Sequence, residues 1–253
     1  MSNDQTETSP VDDEHEALAG VAHALSRVAR SLEDEPDLDR TLEGIVAAVM
    51  PTVAGVQYAG ISLIEDGKLR SVAPSDDLVG QVDAAQYAAG EGPCVDAIIE
   101  HDTFRTGHLG AETTRWPTFA PAGADLGIVS MVAFRLFTTS TTLGSLNLYS
   151  TERDAFDEDA EVTGELFATH AAVALAGIRK QSQLKTALQT RDVIATAKGI
   201  LMQRHQRTDD QAFAMLVETS QHTNIKLHDV AAWVVDDANT TATSDGRPPG
   251  HSG

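Results

Sequence analysis

The sequence predicts an α+β protein in which an antiparallel sheet with flanking helices is joined by one long helix to a three-helix bundle. Two stretches, 58–73 and 130–149, each fold back at a turn and predict paired strands, the first from its period-two pattern and the second from an apolar, β-rich run followed by an alternating one. No proline interrupts the chain between Phe156 and Pro248, which predicts a long helical region. Locally paired strands followed by segregated helices are typical of the α+β class.

Composition limits the kind of protein this is. The chain has 253 residues, of which 42% are hydrophobic, and its one cysteine, Cys94, excludes an internal disulfide framework and a cysteine-rich zinc site. No run reaches the roughly 18 apolar residues that a membrane span needs. The N-terminus is acidic and has no apolar signal segment, so we expect a cytoplasmic protein that does not contact membranes.

Charge is distributed unevenly along the chain. The net charge of −20, taken as a whole, argues against nucleic-acid binding, because phosphate contacts need cations. Residues 1–37 have a net charge of −8, whereas residues 184–208 have a net charge of +4. The basic segment is either a solvated helix face or a site for an anionic partner.

The sheet-containing domain is predicted over 14–180, after a disordered acidic tail at 1–13. Apolar spacing predicts an amphipathic helix over Glu14 to Leu32 and a second helix from a cap at Asp37 to Pro51. Asp66–Gly67 is the turn of the first hairpin. We expect a loop with a weak helical patch at 74–92 and a short helix beginning at Pro93.

The long helix is predicted from Asp159 to about His205. A narrow apolar stripe in its middle has no partner in the same chain, which predicts a homodimer through a short parallel coiled coil. That stripe consists of Leu184, Leu188 and Val193 or Ile194. The apolar residues that we expect to pack on the sheet are Val162, Leu166, His170, Val173 and Ile178.

A second domain over 181–237 is predicted to contain the end of the long helix and two shorter helices. Thr208 and Gln211 have the spacing of a capping box, and Asn224 is expected to cap the last helix. We expect a disordered tail at 238–253. The buried stripe of the middle helix is predicted to be Ala212, Phe213, Leu216, Val217 and Ser220.

No assembled catalytic motif is visible: the sequence has no Walker loop, no GxGxxG after a strand, no HExxH and no GxSxG. We therefore expect neither an enzyme nor a metal site. Cys94 has two interpretations, a helix-N-terminal thiol with a lowered pKa and redox reactivity, or a small buried apolar residue. The Gly90–Cys94 loop is also a candidate wall of a small-molecule cavity.

Several segments carry a resemblance to known regulators. The first part of the chain resembles the GAF domain of actinobacterial regulators, and the last part resembles the ANTAR domain of transcription antiterminators. The GAF-like segments are Gly90–Ala97, Arg115–Ala120, Leu143–Ser150 and His170–Leu175. The ANTAR-like segments are Ala197–Met202, Gln211–Phe213, Thr223–Asn224 and Lys226–Ala231.

The resemblance implies a sensor joined to an RNA effector. ANTAR modules bind paired hairpins in nascent mRNA, generally as dimers, and prevent formation of a terminator. GAF domains receive a small-molecule or protein input, and the sequence does not name a cofactor. RNA loops are recognised through phosphates and splayed bases, which gives the candidate RNA-binding residues Lys198, Arg204, Arg191, His205, Asn224 and Lys226.

Two other interpretations stay open. ANTAR relatives often carry arginines near the positions of Val217, Glu218 and Ile225, and their loss favours a dimeric GAF scaffold that binds protein partners through a vestigial ANTAR unit. A redox or haem sensor that uses Cys94 or a histidine is the third interpretation.

Overall fold

The computed structural model describes residues 38–100, 102–139 and 141–245, with side chains described up to residue 240. The expected tail at 1–13 and the expected helix from Glu14 to Leu32 lie outside these residues. The chain divides into two compact units, with the boundary between Arg179 and Lys180.

The first unit contains a five-stranded antiparallel sheet of order β2-β1-β5-β4-β3. Both predicted hairpins are present, and the turn between β1 and β2 has positive φ at Asp66 and Gly67, as tight hairpin turns require. The short edge strand β3 is not predicted from the sequence. The strands are β1 (Tyr58–Glu65), β2 (Lys68–Val72), β3 (Phe104–Thr106), β4 (Ser130–Phe137) and β5 (Thr142–Ser150).

Helices pack on the two faces of this sheet. A first apolar core includes residues of α1 and α5 together with residues of β1, β4 and β5. A second core joins residues of α2 and α4 with Met131 and Tyr149 of the sheet. The helices of the first unit are α1 (Leu38–Val49), α2 (Asp77–Ala89), α3 (Pro93–Glu100), α4 (Phe119–Asp125) and the beginning of α5 (Glu158–His205).

Helix α2 is stronger than the sequence predicts. Asp76 caps its N-terminus by accepting a hydrogen bond from the backbone N–H of Leu78, and Gly90 ends it in the left-handed conformation. Two of its buried residues, Asp83 and Gln86, are polar. These polar residues interrupt the apolar periodicity, which explains why the sequence indicates only a weak helical patch.

Helix α5 has the predicted extent, but its predicted packing face is wrong. Val162, Leu166 and Val173 are exposed, whereas Phe167 and Leu175 lie in the sheet-facing core. Much of the true face consists of alanines, which contribute little to a search for large apolar residues. Of the predicted set, Ile178 is buried and His170 is exposed; the buried alanines are Ala160, Ala168, Ala171, Ala172 and Ala174.

The second unit consists of the end of α5 together with α6 (Asp209–Thr223) and α7 (Leu227–Asp245). The predicted capping box is present, with reciprocal hydrogen bonds between Thr208 and Gln211. Its buried core consists of Ala197, Leu201, Ala212, Leu216, Val230 and Ala231.

Three expectations for the second unit are corrected. Phe213 is 42% exposed and does not belong to the buried stripe of α6. Asn224 has φ +54 and ends α6 in the left-handed conformation, so it does not cap the following helix. Helix α7 continues to Asp245, into the segment for which a disordered tail is expected.

Candidate functional site

Lys198 is a cation on the second unit whose charge is already paired. Its side chain is 23% exposed, and its Nζ lies 2.6 Å from Oδ1 and 2.8 Å from Oδ2 of Asp209, the first residue of α6. Ala197 and Leu201 are buried in the core of the second unit. Their packing holds Lys198 at the edge of the contact between α5 and α6. Lys198 therefore links two helices, and its paired ammonium group attracts an anion less strongly than an unpaired one would.

Arg204 is also paired, but with the other helix. Its Nη1 donates to Oδ2 of Asp237 on α7 at 2.7 Å. Lys198 and Arg204 thus direct their charges to α6 and α7 respectively, and they do not form one cationic cluster. The side chains remain at the surface, where an ion pair contributes about 0–1 kcal/mol and can exchange for a phosphate.

The other predicted RNA-binding residues are exposed. Arg191 lies one and two heptads before Lys198 and His205 on α5, so these three residues follow one side of the helix. Asn224 and Lys226 lie in the connection between α6 and α7. The structure therefore distributes the six predicted residues along α5 and over one interhelical connection.

Arg207, which is not among the residues predicted to bind RNA, follows the end of α5 and is more available to an anion than the paired Lys198 and Arg204. Its side chain is exposed and has no hydrogen bond or ion pair within the described part of the chain. It lines a cleft of about 300 Å³ together with His205, Gln211, Ala214 and Met215. The capping-box sequence predicts where α6 begins, but the proximity of these five residues is evident only from the structure.

The two units differ in net charge. Residues 180–253 contain eight Lys and Arg and eight Asp and Glu, so the net charge of the second unit is zero. The whole charge of −20 lies within residues 1–179. The electrostatic objection to nucleic-acid binding therefore applies to the first unit and not to the second.

The interior of the first unit contains a layer of buried polar side chains between the sheet and α2 and α3. The Asp83 carboxyl accepts hydrogen bonds from the hydroxyls of Tyr149 and Ser71. Burial raises the pKa of Asp83, and no basic group contacts it within the described residues. The other members are Ser62, Gln86, Ser145 and Asn147, all fully buried.

The side-chain amide nitrogen of Gln86 has no hydrogen-bond partner among the described residues of this layer. The Oε1 of Gln86 accepts a hydrogen bond of 3.0 Å from the backbone N–H of Cys94. Its Nε2 is buried and has no hydrogen-bond partner among the described residues. Buried amide donors are nearly always satisfied, so the unpartnered Nε2 is an exception within the part of the chain that the structure describes.

Cys94 lies in the same layer, and its environment does not activate it. The thiol donates to Ser62 Oγ and accepts from Ser145 Oγ, both at 3.2 Å. Burial raises the pKa of Cys94 to about 12, whereas an activated thiol has a lowered pKa. Of the two interpretations of this residue, the geometry agrees with the small buried side chain.

Comparison with family models identifies both units. The model of the GAF domain matches residues 35–176, more than half of the chain, and the model of the ANTAR domain matches residues 182–235. The chain belongs to the GAF family and carries an ANTAR domain. Both predicted resemblances are thereby confirmed, while the expected actinobacterial origin stays a prediction. GAF followed by ANTAR is the architecture of a regulator, and neither match is to a catalytic domain.

Solved structures share the fold of the GAF domain. The free methionine-R-sulfoxide reductase of Neisseria meningitidis, solved in complex with its substrate, is 19% identical with a TM-score of 0.53, and the match covers 72% of this chain and 99% of that one. A domain of a sensor histidine kinase from Sinorhizobium meliloti is 14% identical with a TM-score of 0.50, covering 60% and 99%. A comparison with curated proteins found no match.

The ANTAR domain departs from the expected arginine pattern at three positions. Glu218 and Ile225 are exposed, and Val217 is half-buried. Arginines at the two exposed positions would have added cations beside Lys226 and on the outer side of α6. Their loss leaves Lys185, Arg191, Arg207 and Lys226 as surface cations without an ion pair in the described part of the domain.

Within 38–245, apart from 101 and 140, no group of His, Cys, Asp and Glu side chains is arranged to hold a metal ion. None of the described helices is long and apolar enough to cross a membrane.

Proposed function

We propose that this GAF–ANTAR protein is a signal-responsive, RNA-binding regulator of transcription antitermination that acts in the cytoplasm. The ANTAR domain would bind hairpins in nascent mRNA, and the GAF domain would receive a small-molecule or protein input. The ANTAR match over residues 182–235 carries this proposal. The zero net charge of the second unit and its unpaired cations support it.

The surface cations set the expected mode of RNA binding. Arg191, Arg207 and Lys226 are exposed and available for phosphates, while Lys198 and Arg204 must first leave Asp209 and Asp237. RNA affinity that comes from phosphate contacts falls with salt, because each contact releases a counterion. A few contacts predict moderate affinity and a shallow salt dependence.

A titration of the full-length protein with a labelled RNA that contains two hairpins, followed by fluorescence anisotropy over a salt series, tests this function. We expect Lys226→Ala to weaken binding and to reduce the slope of log affinity against log salt by about 1. Lys68→Ala, the same substitution on the exposed β1–β2 hairpin of the GAF domain, is the matched control and should leave the slope unchanged. Salt-insensitive binding, or none, would remove the antitermination proposal.

A dimeric GAF scaffold with a vestigial ANTAR unit is the second candidate. The pairing of Lys198 with Asp209 and of Arg204 with Asp237 favours it, because both acids neutralise cations that an RNA-binding unit needs. The missing arginines at Val217, Glu218 and Ile225 favour it as well. The absence of salt-sensitive RNA binding by the parent protein would support this second candidate.

We infer a homodimer from the middle of α5. Leu184 and Leu188 are 58% and 61% exposed, although large apolar side chains in a helix of this length are normally covered. They are separated by four residues, which is a seam spacing of coiled coils. Two copies of the ANTAR domain in one dimer would also raise the effective concentration of the second domain at a paired hairpin.

The buried polar layer supports a sensory role for the GAF domain. A polar ligand that accepts a hydrogen bond would satisfy the Nε2 of Gln86, the donor that lacks a partner among the described residues. We propose this position, close to the Gly90–Cys94 loop, as the place where a small-molecule input would act.

A further inference from the structure

We propose that one face of α7 docks a positively charged protein segment that presents an arginine side chain. This surface, called the Trp233 face below, consists of Trp233 and the three carboxylates beside it, Asp229, Asp236 and Asp237. The contact goes beyond the proposed RNA-binding function and does not depend on it.

Trp233 is the most exposed large apolar side chain in the described part of the chain, at 69%. Val230 and Ala231, the residues just before it on α7, are buried in the core of the second unit, so the core holds the helix in place. The other tryptophan of the chain, Trp116, is 1% exposed. Tryptophan is enriched among the residues that contribute most to protein interfaces. Trp233 therefore offers a partner a large apolar surface on a fixed support.

Carboxylates surround the indole ring. Asp229 precedes Trp233 by four residues. Asp236 and Asp237 follow it by three and four residues, and residues at these intervals are neighbours on a helix surface. Helix α7 contains four Asp and no Lys or Arg, whereas residues 180–226 contain seven Lys and Arg and four Asp and Glu. The second unit, although its net charge is zero, therefore has one acidic helix.

The carboxylates of the Trp233 face disfavour RNA and a second copy of this face as the occupant. They would repel RNA phosphates, and two copies of the same face would bring like charges together. Lys226, the nearest cation in the sequence, lies seven residues before Trp233, which is about 10 Å of helix rise. The cation proposed for RNA contact and the Trp233 face are therefore at different positions along α7.

An arginine side chain matches both parts of the face. Its planar guanidinium can lie on the indole ring, the best aromatic partner for a cation, while its N–H groups donate to a carboxylate. The protein already contains the carboxylate half of this arrangement, because Nη1 of Arg204 on α5 donates to Oδ2 of Asp237 at 2.7 Å. Asp229 contacts the ring of His228 at 3.3 Å. Asp236 is exposed and forms no ion pair within the described residues, so a partner's guanidinium can bind it.

The experiment uses the full-length protein labelled with 5-fluorotryptophan, in which Trp116 and Trp233 give separate fluorine NMR resonances. The probes are hexa-arginine and hexa-lysine peptides, which carry the same charge, and Trp233→Leu assigns the resonances. We expect hexa-arginine to shift the Trp233 resonance saturably and to leave that of the buried Trp116 unchanged. Hexa-lysine should bind this site several-fold more weakly, because an ammonium group lacks the planar fork.

Two variants separate the contributions of charge and of the ring. Asp236→Asn should weaken hexa-arginine binding by up to about fivefold, the range of an exposed ion pair. Glu218→Gln removes the same charge from an exposed position on α6, and this matched control should bind like the parent protein. Trp233→Leu keeps an apolar side chain but removes the aromatic face. Anisotropy of labelled peptides should show that it has lost the preference for hexa-arginine over hexa-lysine.

The other two occupants are tested with the same protein. A two-hairpin RNA should leave the Trp233 resonance unchanged, and Trp233→Leu should sediment with the mass of the parent. A Trp233 shift with RNA as large as that with hexa-arginine would assign the face to RNA, and a lower mass of Trp233→Leu would assign it to a second copy. Either result would overturn the proposal. The absence of a shift with hexa-arginine, equal binding of both peptides, or equal weakening in Asp236→Asn and Glu218→Gln would overturn it as well.

Discussion

The ammonium group of Lys198 contacts both carboxylate oxygens of Asp209, at 2.6 and 2.8 Å, so the lysine of the ANTAR-like AKGILM run is bound to the first residue of α6. This ion pair stabilises the contact between α5 and α6, and it competes with any phosphate for the same cation.

Releasing Lys198 should strengthen RNA binding. In Asp209→Asn the lysine is free for a phosphate, and we expect affinity at low salt to rise up to roughly fivefold, the range of an exposed ion pair. The slope of log affinity against log salt concentration should become steeper by about 1. The measurement is an anisotropy titration with a two-hairpin RNA at several salt concentrations.

Asp210→Asn is the control for this prediction, because it removes the same charge from the same helical turn without releasing Lys198. An equal gain in both variants would show that the effect is general repulsion and not competition for Lys198.

The exposed leucines of α5 should hold a homodimer together. We expect Leu188→Asp to convert the dimer to a monomer at micromolar concentration, because a carboxylate in a coiled-coil seam would be desolvated. Sedimentation-velocity analysis of the full chain measures the change. Thr186→Asp adds the same charge on the opposite side of the helix and should remain dimeric; identical masses for both variants would exclude this seam.

The buried Asp83 should make stability depend on pH. Its pKa is raised in the folded protein, so the native state keeps a proton that the unfolded chain releases. The free energy of unfolding should therefore be highest below the ordinary Asp pKa, near 4, and should fall as pH rises toward the raised value. Within that window each pH unit costs about 1.4 kcal/mol.

Asp83→Asn removes the titrating group but keeps a neutral hydrogen-bonding side chain, so the decline with pH should become shallower. Urea denaturation at pH 4.5 to 8 measures the free energy of unfolding and thus its decline with pH. Asp77→Asn, an exposed carboxylate on the same helix, should keep the slope of the parent. An unchanged slope in Asp83→Asn would mean that Asp83 is ionised in the folded protein.

Two glycines of α5 should respond to alanine in opposite directions. A Cβ at Gly164 would approach the buried ring of Phe134 to 2.3 Å, whereas a Cβ at Gly177 meets no described atom within 4 Å. Gly177→Ala should stabilise the helix by up to about 1 kcal/mol. Gly164→Ala should destabilise the protein by about 1–3 kcal/mol, because the core must move to accept the methyl group.

Thermal unfolding followed by circular dichroism checks this pair of variants. If Gly164→Ala is as stable as Gly177→Ala, then α5 does not lie as close to β4 as the structure places it.

Periodicity is a good guide to this fold where apolar residues are large. The β1–β2 and β4–β5 hairpins, α1 and the length of α5 follow from the sequence, because alternation and turn residues agree there. The buried face of α5 does not follow, since alanines and Gly164 let the sheet approach closely. Helix α2 is underestimated because Asp83 and Gln86 occupy buried positions that a pattern search expects to be apolar.

The candidate site is harder to predict because charge availability is a property of the folded state. The sequence shows the basic residues of 184–208 but not that Asp209 and Asp237 pair with Lys198 and Arg204. Arg207 is as basic as its neighbours in the sequence. Only the turn at Gln206 and the capping box bring it to the same cleft as Gln211 and Met215.

The burial of Cys94 has a practical consequence for spectroscopy. It is the only cysteine of the chain, it is fully buried, and its high pKa keeps it in the thiol form at neutral pH. A fluorophore or spin-label maleimide will therefore react with a single introduced cysteine, such as Thr186→Cys, in preference to the native thiol. Distance measurements across the proposed dimer can start from the unaltered sequence, without a cysteine-free background.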